Sequence, residues 1–260
     1  MALASNPESM LHYKGQTLRF ALSGAHPQSP RHVVQFTNAW RTAVLAAFKE
    51  VHEGQDSFLL SGRCADGTPD KAHAHAFYLP EIDEGAIVGL RIISPLAPFS
   101  PEEMQALRCV GTVTWAGPSA RVNLTLIEEL DTSLLQVASS WESVTPYVPR
   151  RAFHQDKPRL TPLRQLADEL RADLGAYIDI VEATCTPVGR ILVRCAPALG
   201  ANDASPAISR IGYKTWFRTS TPICGPVLLG HSAHFGLGQF QPPFPASVPR
   251  GDGSGRTAGK

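Results

Sequence analysis

No run in this 260-residue chain approaches the roughly 20 consecutive apolar residues of a membrane helix. The opening MALASNPESMLHYKG has no charged start followed by an apolar core, so no secretory signal is expected. The reading is a cytoplasmic protein with no membrane partner. Cysteine is sparse and unpatterned. Cys64, Cys109, Cys185, Cys195 and Cys224 are odd in number and contain no C-x-x-C, which argues against a disulfide framework and a zinc ribbon. Buried thiols are the expectation. Charge is also scarce, 18% with a net of +1, and gives no strong polyanion signal. The P-loop and dinucleotide-binding fingerprints are missing. The nearest thing to a hydrolase elbow, Gly230-His231-Ser232-Ala233-His234, ends in His rather than Gly and lacks a strand–turn–helix context.

What is there is a globular composition, 43% hydrophobic with 22 Pro and 21 Gly. Its charge is uneven. Residues 1–140 hold 10 Lys+Arg against 14 Asp+Glu, and residues 141–260 hold 14 against 9. Contacts to a polyanion are therefore expected mainly in the second half.

Residues 17–22 alternate as a strand, and residues 31–51 carry Val33, Val34, Ala39, Val44, Leu45 and Phe48 at helical spacing. Residues 53–72 read mostly as loop. Strands are expected over 73–79 and 86–93, joined by the turn PEIDEG. Ser100, Pro101, Glu102 and Glu103 open a helix to 110, because an N-cap hydroxyl, a first-turn proline and acidic residues all favour a helix start. A strand over 121–130 follows. This order, strand–helix–strand–strand–helix–strand, is the ferredoxin-like arrangement, an antiparallel sheet with both helices on one face.

The second half partly repeats it. A strand is expected over 141–148, an amphipathic helix over 163–174, a hairpin of 177–183 with 189–195 around Thr186–Gly189, and a strand over 213–219. The loop 196–209 stands where a second crossover helix belongs. The fold class is thus α+β, two tandem ferredoxin-like βαββαβ folds with a C-terminal glycine-rich loop. The expected domains are 1–135 and 136–242, followed by a disordered tail over 243–260.

The segment GPVLLGHSAHFGLGQF, Gly225–Phe240, resembles the glycine-rich loop of RAMP-superfamily endoribonucleases that process CRISPR repeat RNA. Gly230, Gly236 and Gly238 carry the match, with Phe235 and Leu237. His231–Ser232 departs from the hydrophobic–Gly pair common there. The segments SGRCADGTPDKAHAHAFYLP and WESVTPYVPRR narrow the resemblance to the type I-G (formerly I-U) branch, over roughly residues 15–240. The chain is similar to the processing half only, with the companion RAMP module missing or separate. The resemblance implies an enzyme without cofactor or metal. The 2′-hydroxyl attacks the scissile phosphate, leaving a 2′,3′-cyclic phosphate and a 5′-hydroxyl. It also implies CRISPR repeat or guide RNA as partner, with other interference-complex subunits. A non-catalytic guide-RNA-binding subunit of the same fold stays open as an alternative.

Such chemistry needs a base, a donor for the leaving oxygen, and positive charge at the phosphorane; imidazole suits the first two and Lys or Arg the third. His73 and His75, two apart on an expected strand, would project from one face about 7 Å apart. They could flank a phosphate, bind a metal with a further ligand such as Cys64 or Asp66, or be structural. His75 is preferred. His231 and His234 sit in the glycine-rich segment, where they could act on RNA or merely cap a loop, and His32 at the start of the first long helix is a reserve candidate. Glycine's freedom at Gly230, Gly236 and Gly238 would let backbone N–H groups approach a phosphate, or simply form a tight turn. Arg150, Arg151 and Lys157 lie in a basic run beside Tyr147 and Phe153, and Arg210, Lys214 and Arg218 fall four apart on a strand near Tyr213, Trp216 and Phe217. Both sets could contact RNA or form solvated surface.

Overall fold

The structure, a computed structural model, describes residues 15–24, 29–64, 68, 75–117, 119–128, 131–151, 161–174, 178–194 and 207–243. Its first half builds β1 (Gln16–Gly24), α1 (Val33–Val51), β2 (Phe77–Asp83), β3 (Ala86–Ser94), α2 (Pro101–Cys109), β4 (Thr112–Thr114) and β5 (Arg121–Glu128). The sheet runs β2-β3-β1-β5-β4 with every pairing antiparallel. Apart from the edge strand β4, that is the ferredoxin-like order. Alternation drives it: Leu18, Phe20, Leu90, Ile92, Val122 and Leu124 fall on one face and bury under α1 and α2. Trp40, wholly buried, makes edge contacts with Phe20 and Tyr78, each at 5.2 Å between centroids. Ser100 caps α2 in a reciprocal box with Glu103, as its sequence signature predicts.

The second half adds β6 (Val137–Ser143), α3 (Pro162–Leu174), β7 (Ile180–Arg194), β8 (Ile208–Cys224), β9 (Val227–Leu228) and β10 (Gln239–Gln241), in the order β7-β8-β6-β10-β9. The first and second sheets therefore share one plan, including a short extra edge strand before the last. Trp141, Tyr147, Leu166, Leu170, Phe217 and Phe240 form the smaller core. The chain is two tandem ferredoxin-like units.

Several expectations need correction. The hairpin of 177–183 with 189–195 does not exist. β7 runs through Thr186–Gly189 as one strand, and its ladder with β8 absorbs the irregularity as a register shift between Pro187 and Gly189. The interval after β7 therefore joins β7 to β8 and is no place for a crossover helix. The missing helix belongs between β8 and β10, where the glycine-rich segment stands instead. The strand expected over 141–148 is shifted to Val137–Ser143, with Tyr147 bridging to Tyr213. The strand expected over 73–79 starts only at Phe77, so His75 precedes it. The turn after it narrows to Glu84-Gly85, both at positive φ. Phe58–Ser61 forms a helical turn within the expected loop, and β4 was not foreseen. Cys64 and Cys109 are exposed, whereas only Cys224 of the described thiols is buried. The tail from 244 onward lies outside the described residues. Among the described residues no helix is long and apolar enough to cross a membrane.

The units share apolar surface. Phe77, Leu79 and Ile93 on the uncovered face of the first sheet pack on Leu228 and Ala233. Leu237 enters the first unit's core with no exposed surface. Burying a leucine fully is worth about 2 kcal/mol. The glycine-rich segment is thus the joint between the two sheets.

Candidate active site

The path of that segment is set by left-handed backbone. Gly230, Ser232, Gly236 and Gly238 have φ of 93, 62, 81 and 58°. A Cβ on Gly236 would strike the Pro80 ring, and one on Gly238 the backbone carbonyl of Leu229. His231 N–H donates to Val148 O (2.7 Å), Leu229 N–H to Gly238 O (3.0 Å) and Gly238 N–H to Pro146 O (2.9 Å). Thr37 Oγ1 on α1 donates to Phe235 O (2.9 Å). The three glycines are buried. The N–H groups of Gly236 and Gly238 are bonded to Ala233 O and Pro146 O, an arrangement that matches the tight-turn alternative of the sequence reading. The glycines are needed for positive φ and close packing, and the half-buried side chains of His231, Ser232 and His234 stand between them.

Two rings from the first unit hold one from this segment. His234 stacks on His75 at 3.9 Å and on Phe77 at 3.8 Å, with interplanar angles of 20 and 21°. His75 and Phe77 are two residues apart, so His234 lies between them like a leaf. Gly62, at φ 65°, allows this: a Cβ there would come within 2.7 Å of the His75 ring. On one side of the stack is a cleft of about 310 Å³ lined by Arg41, Arg63, His75, Tyr78, His234 and Phe235. Arg41 donates to Ser61 O and lies 5.8 Å from the Phe235 ring centre. Burial pulls its guanidinium below the usual value, Tyr78 opposes this, and Arg63 adds to it.

On the other side is a cleft of about 210 Å³ lined by Phe77, Arg150, His231, Ser232 and His234. His231 Nδ1 and Ser232 Oγ are 2.7 Å apart, and Ser232 Oγ donates to Val193 O at 2.6 Å. Burial, then Arg210 and Arg194, hold the His231 pKa below its ordinary value. Arg150 pairs with Asp173 at 2.9 Å and lies 4.0 Å from Glu169. Glu169, on α3 and buried, accepts from the Arg150 N–H and lies near the Gly230 N–H. Burial pushes its carboxyl up to about 7, with Asp173 adding and Arg150 and the two N–H groups opposing.

The fold thus brings His75, His231, His234 and Arg150 to one place. It does not bring His32, which is exposed at the start of α1 with its ring 5.5 Å from Trp115. His73 and Lys157 lie outside the described residues. Arg151 and Arg210 line a neighbouring cleft of about 240 Å³ with Arg190 and Tyr213. Arg210, Lys214 and Arg218 do share a strand face, but each is engaged: Arg210 donates to Arg150 O (2.8 Å), Lys214 pairs with Glu142 (2.9 Å) and Arg218 with Glu182 (3.3 Å). Among the described residues no three His, Cys, Asp or Glu side chains are grouped to hold a metal ion.

Arg41, Arg63, Glu169 and Ser232 were missed. Arg41 had a signal, since it falls four and eight residues after Thr37 and Val33 on the apolar face of α1, where a charge is out of place. Glu169 and Ser232 had none, being polar residues on a surface-like helix and in a loop.

No protein-family model matches the chain, and no curated protein matches it. Solved structures do. One described as "CRISPR associated protein Cas6" is 9% identical with a TM-score of 0.42, covering 88% of this chain and 98% of that one. A Cas6-related protein of Pyrococcus furiosus is 11% identical, with a TM-score of 0.44 and coverages of 87% and 98%. "An RAMP protein binding different RNA substrates" is 12% identical at 0.42, with coverages of 87% and 98%. These likenesses are too distant to bear on function, and the fold assignment stands on the strand order itself.

Proposed function

We propose that this chain is a metal-independent endoribonuclease that binds and cleaves CRISPR repeat RNA. The observation that carries the reading is the row of three imidazoles, His75, His234 and His231, along the joint between the sheets, with Arg41 and Arg63 at one end and Arg150 at the other. Imidazoles can take and give protons near neutral pH, and guanidinium groups stabilise a dianionic phosphorane. In the reaction one imidazole takes the 2′-hydroxyl proton as O2′ bonds to phosphorus. The P–O5′ bond breaks, and a second imidazole gives its proton to O5′. The products are a 2′,3′-cyclic phosphate and a 5′-hydroxyl. From Arg150 beside the histidines, Arg151, Arg190 and Arg210 extend positive charge into the neighbouring cleft and would seat the flanking backbone. The sequence segments around residues 61–80 and 141–151 support assigning the protein to the type I-G branch, as its processing half, with domains over 1–135 and 136–242.

One observation favours the alternative, a non-catalytic guide-RNA-binding subunit. His234 presents one face to His75 and the other to Phe77, a packing role that needs no reactivity. The test is incubation of the purified protein with its cognate repeat RNA in EDTA, with the ends mapped. One cut ending in a cyclic phosphate is the expected result. Tight binding without a cut makes the chain a subunit, and neither binding nor cutting overturns the RNA reading.

A further inference from the structure

The hydrogen bonds around Ser232 determine which nitrogen of His231 carries a proton. Ser232 Oγ lies 2.6 Å from Val193 O, and a carbonyl oxygen can only accept. The single hydroxyl proton is therefore committed to Val193. The 2.7 Å contact between Ser232 Oγ and His231 Nδ1 must then be made by an Nδ1–H donating to the oxygen. In the neutral ring this leaves Nε2 with its lone pair, on the ring edge away from Ser232, while the ring lines the cleft with Arg150 and His234. Ser232 is held there at φ 62°, a conformation unfavourable to a residue with a Cβ, and it sits within a segment anchored at both ends by backbone hydrogen bonds.

We infer that Ser232 is a positioning residue that locks His231 in the Nδ1–H tautomer and so presents Nε2 to the cleft as the base for the 2′-hydroxyl. This rests on the nuclease reading above. The charged groups facing His231 all work in the same direction. Arg210 from β8 and Arg194 from β7 disfavour imidazolium, and Arg150 lines the same cleft; Glu169 of α3 lies near the Gly230 N–H. The ring is thus kept neutral, with its base nitrogen available, in the pH range where RNA is handled.

The test uses the full chain labelled with ¹⁵N-histidine, His231 being assigned by the resonance lost in His231→Gln. In the wild type at pH 8, long-range ¹H–¹⁵N correlation should show Nδ1 protonated and Nε2 pyridine-like. Ser232→Gly removes the hydroxyl and suits the positive φ, so folding is kept. It should mix the tautomers and slow cleavage of repeat RNA by about 10²-fold, the scale on which orienting partners act. Ser232→Asn tolerates the same backbone and offers an N–H donor for Val193 and an oxygen for Nδ1–H, so it should restore most of the rate. A protonated Nε2 in the wild type, or a Ser232→Gly rate within twofold of wild type, overturns the inference. The expected tautomer in a protein that cuts no repeat RNA overturns the base role together with the nuclease reading, and leaves only the tautomer assignment.

Discussion

Glu169→Gln should make the protein more stable, and by an amount that grows with pH. Glu169 is 7% exposed, and its carboxyl pKa is raised from 4.5 to about 7, chiefly by burial. A carboxyl with a folded pKa above its unfolded value stabilises through its protonated form. That contribution is fully present below about pH 4.5 and is lost as pH rises through about 7. A shift of about 2.5 units corresponds to roughly 3 kcal/mol at 1.36 kcal/mol per unit. Glutamine stays neutral, and its Oε1 can still accept from the Arg150 N–H. The variant should therefore exceed the wild type by only about 1 kcal/mol at pH 5. By pH 8 the variant should have gained about 3 kcal/mol on the wild type, or roughly 8 °C in Tm for a chain of this size. All other titrating groups are common to both proteins and cancel in the difference. Urea or thermal melts at pH 5, 6, 7 and 8 provide the assay. A gap constant to within about 0.5 kcal/mol across that range would refute the burial argument.

Further outcomes follow from the same geometry. His234→Ala should cost about 2–3 kcal/mol by removing two ring stacks, while His234→Phe keeps them; the Phe variant should melt within about 1 kcal/mol of wild type, still bind repeat RNA, and fail to cut it. Gly238→Ala should cost more than about 3 kcal/mol in urea titrations, because its Cβ would meet the Leu229 carbonyl. Gly85→Ala, also at positive φ but with open space around it, should cost only about 1 kcal/mol. Replacing Arg150 and Arg151 together by Ala should flatten the dependence of log K on log salt for repeat RNA by about 1.4, at about 0.7 per lost single-strand phosphate contact. An unchanged slope would remove both residues from the RNA surface.

The sequence by itself determined the elements whose signal is local. Alternation at residues 17–22, 86–93 and 121–130 specifies strands, and the Ser100-to-Glu103 box specifies where α2 starts, because side chains one turn or one pleat apart decide these. It also marked His75, His231 and His234 by residue type. Gly189 and Pro187 misled, since turn-forming residues look alike whether a chain reverses or a long neighbouring strand accommodates them as a bulge. Only β8, running its full length beside β7, settled which.

The tertiary structure alone assembled the candidate site. His75 and His234 are 159 positions apart and meet because the second unit replaces a crossover helix with the glycine-rich segment, which lays Leu228, Ala233 and Leu237 on the first unit. The tautomer of His231 depends on a carbonyl of β7, and the pKa of Glu169 depends on burial beneath that same segment. Interactions of this kind have no period in the sequence, because they arise from surfaces that touch only once both sheets have formed.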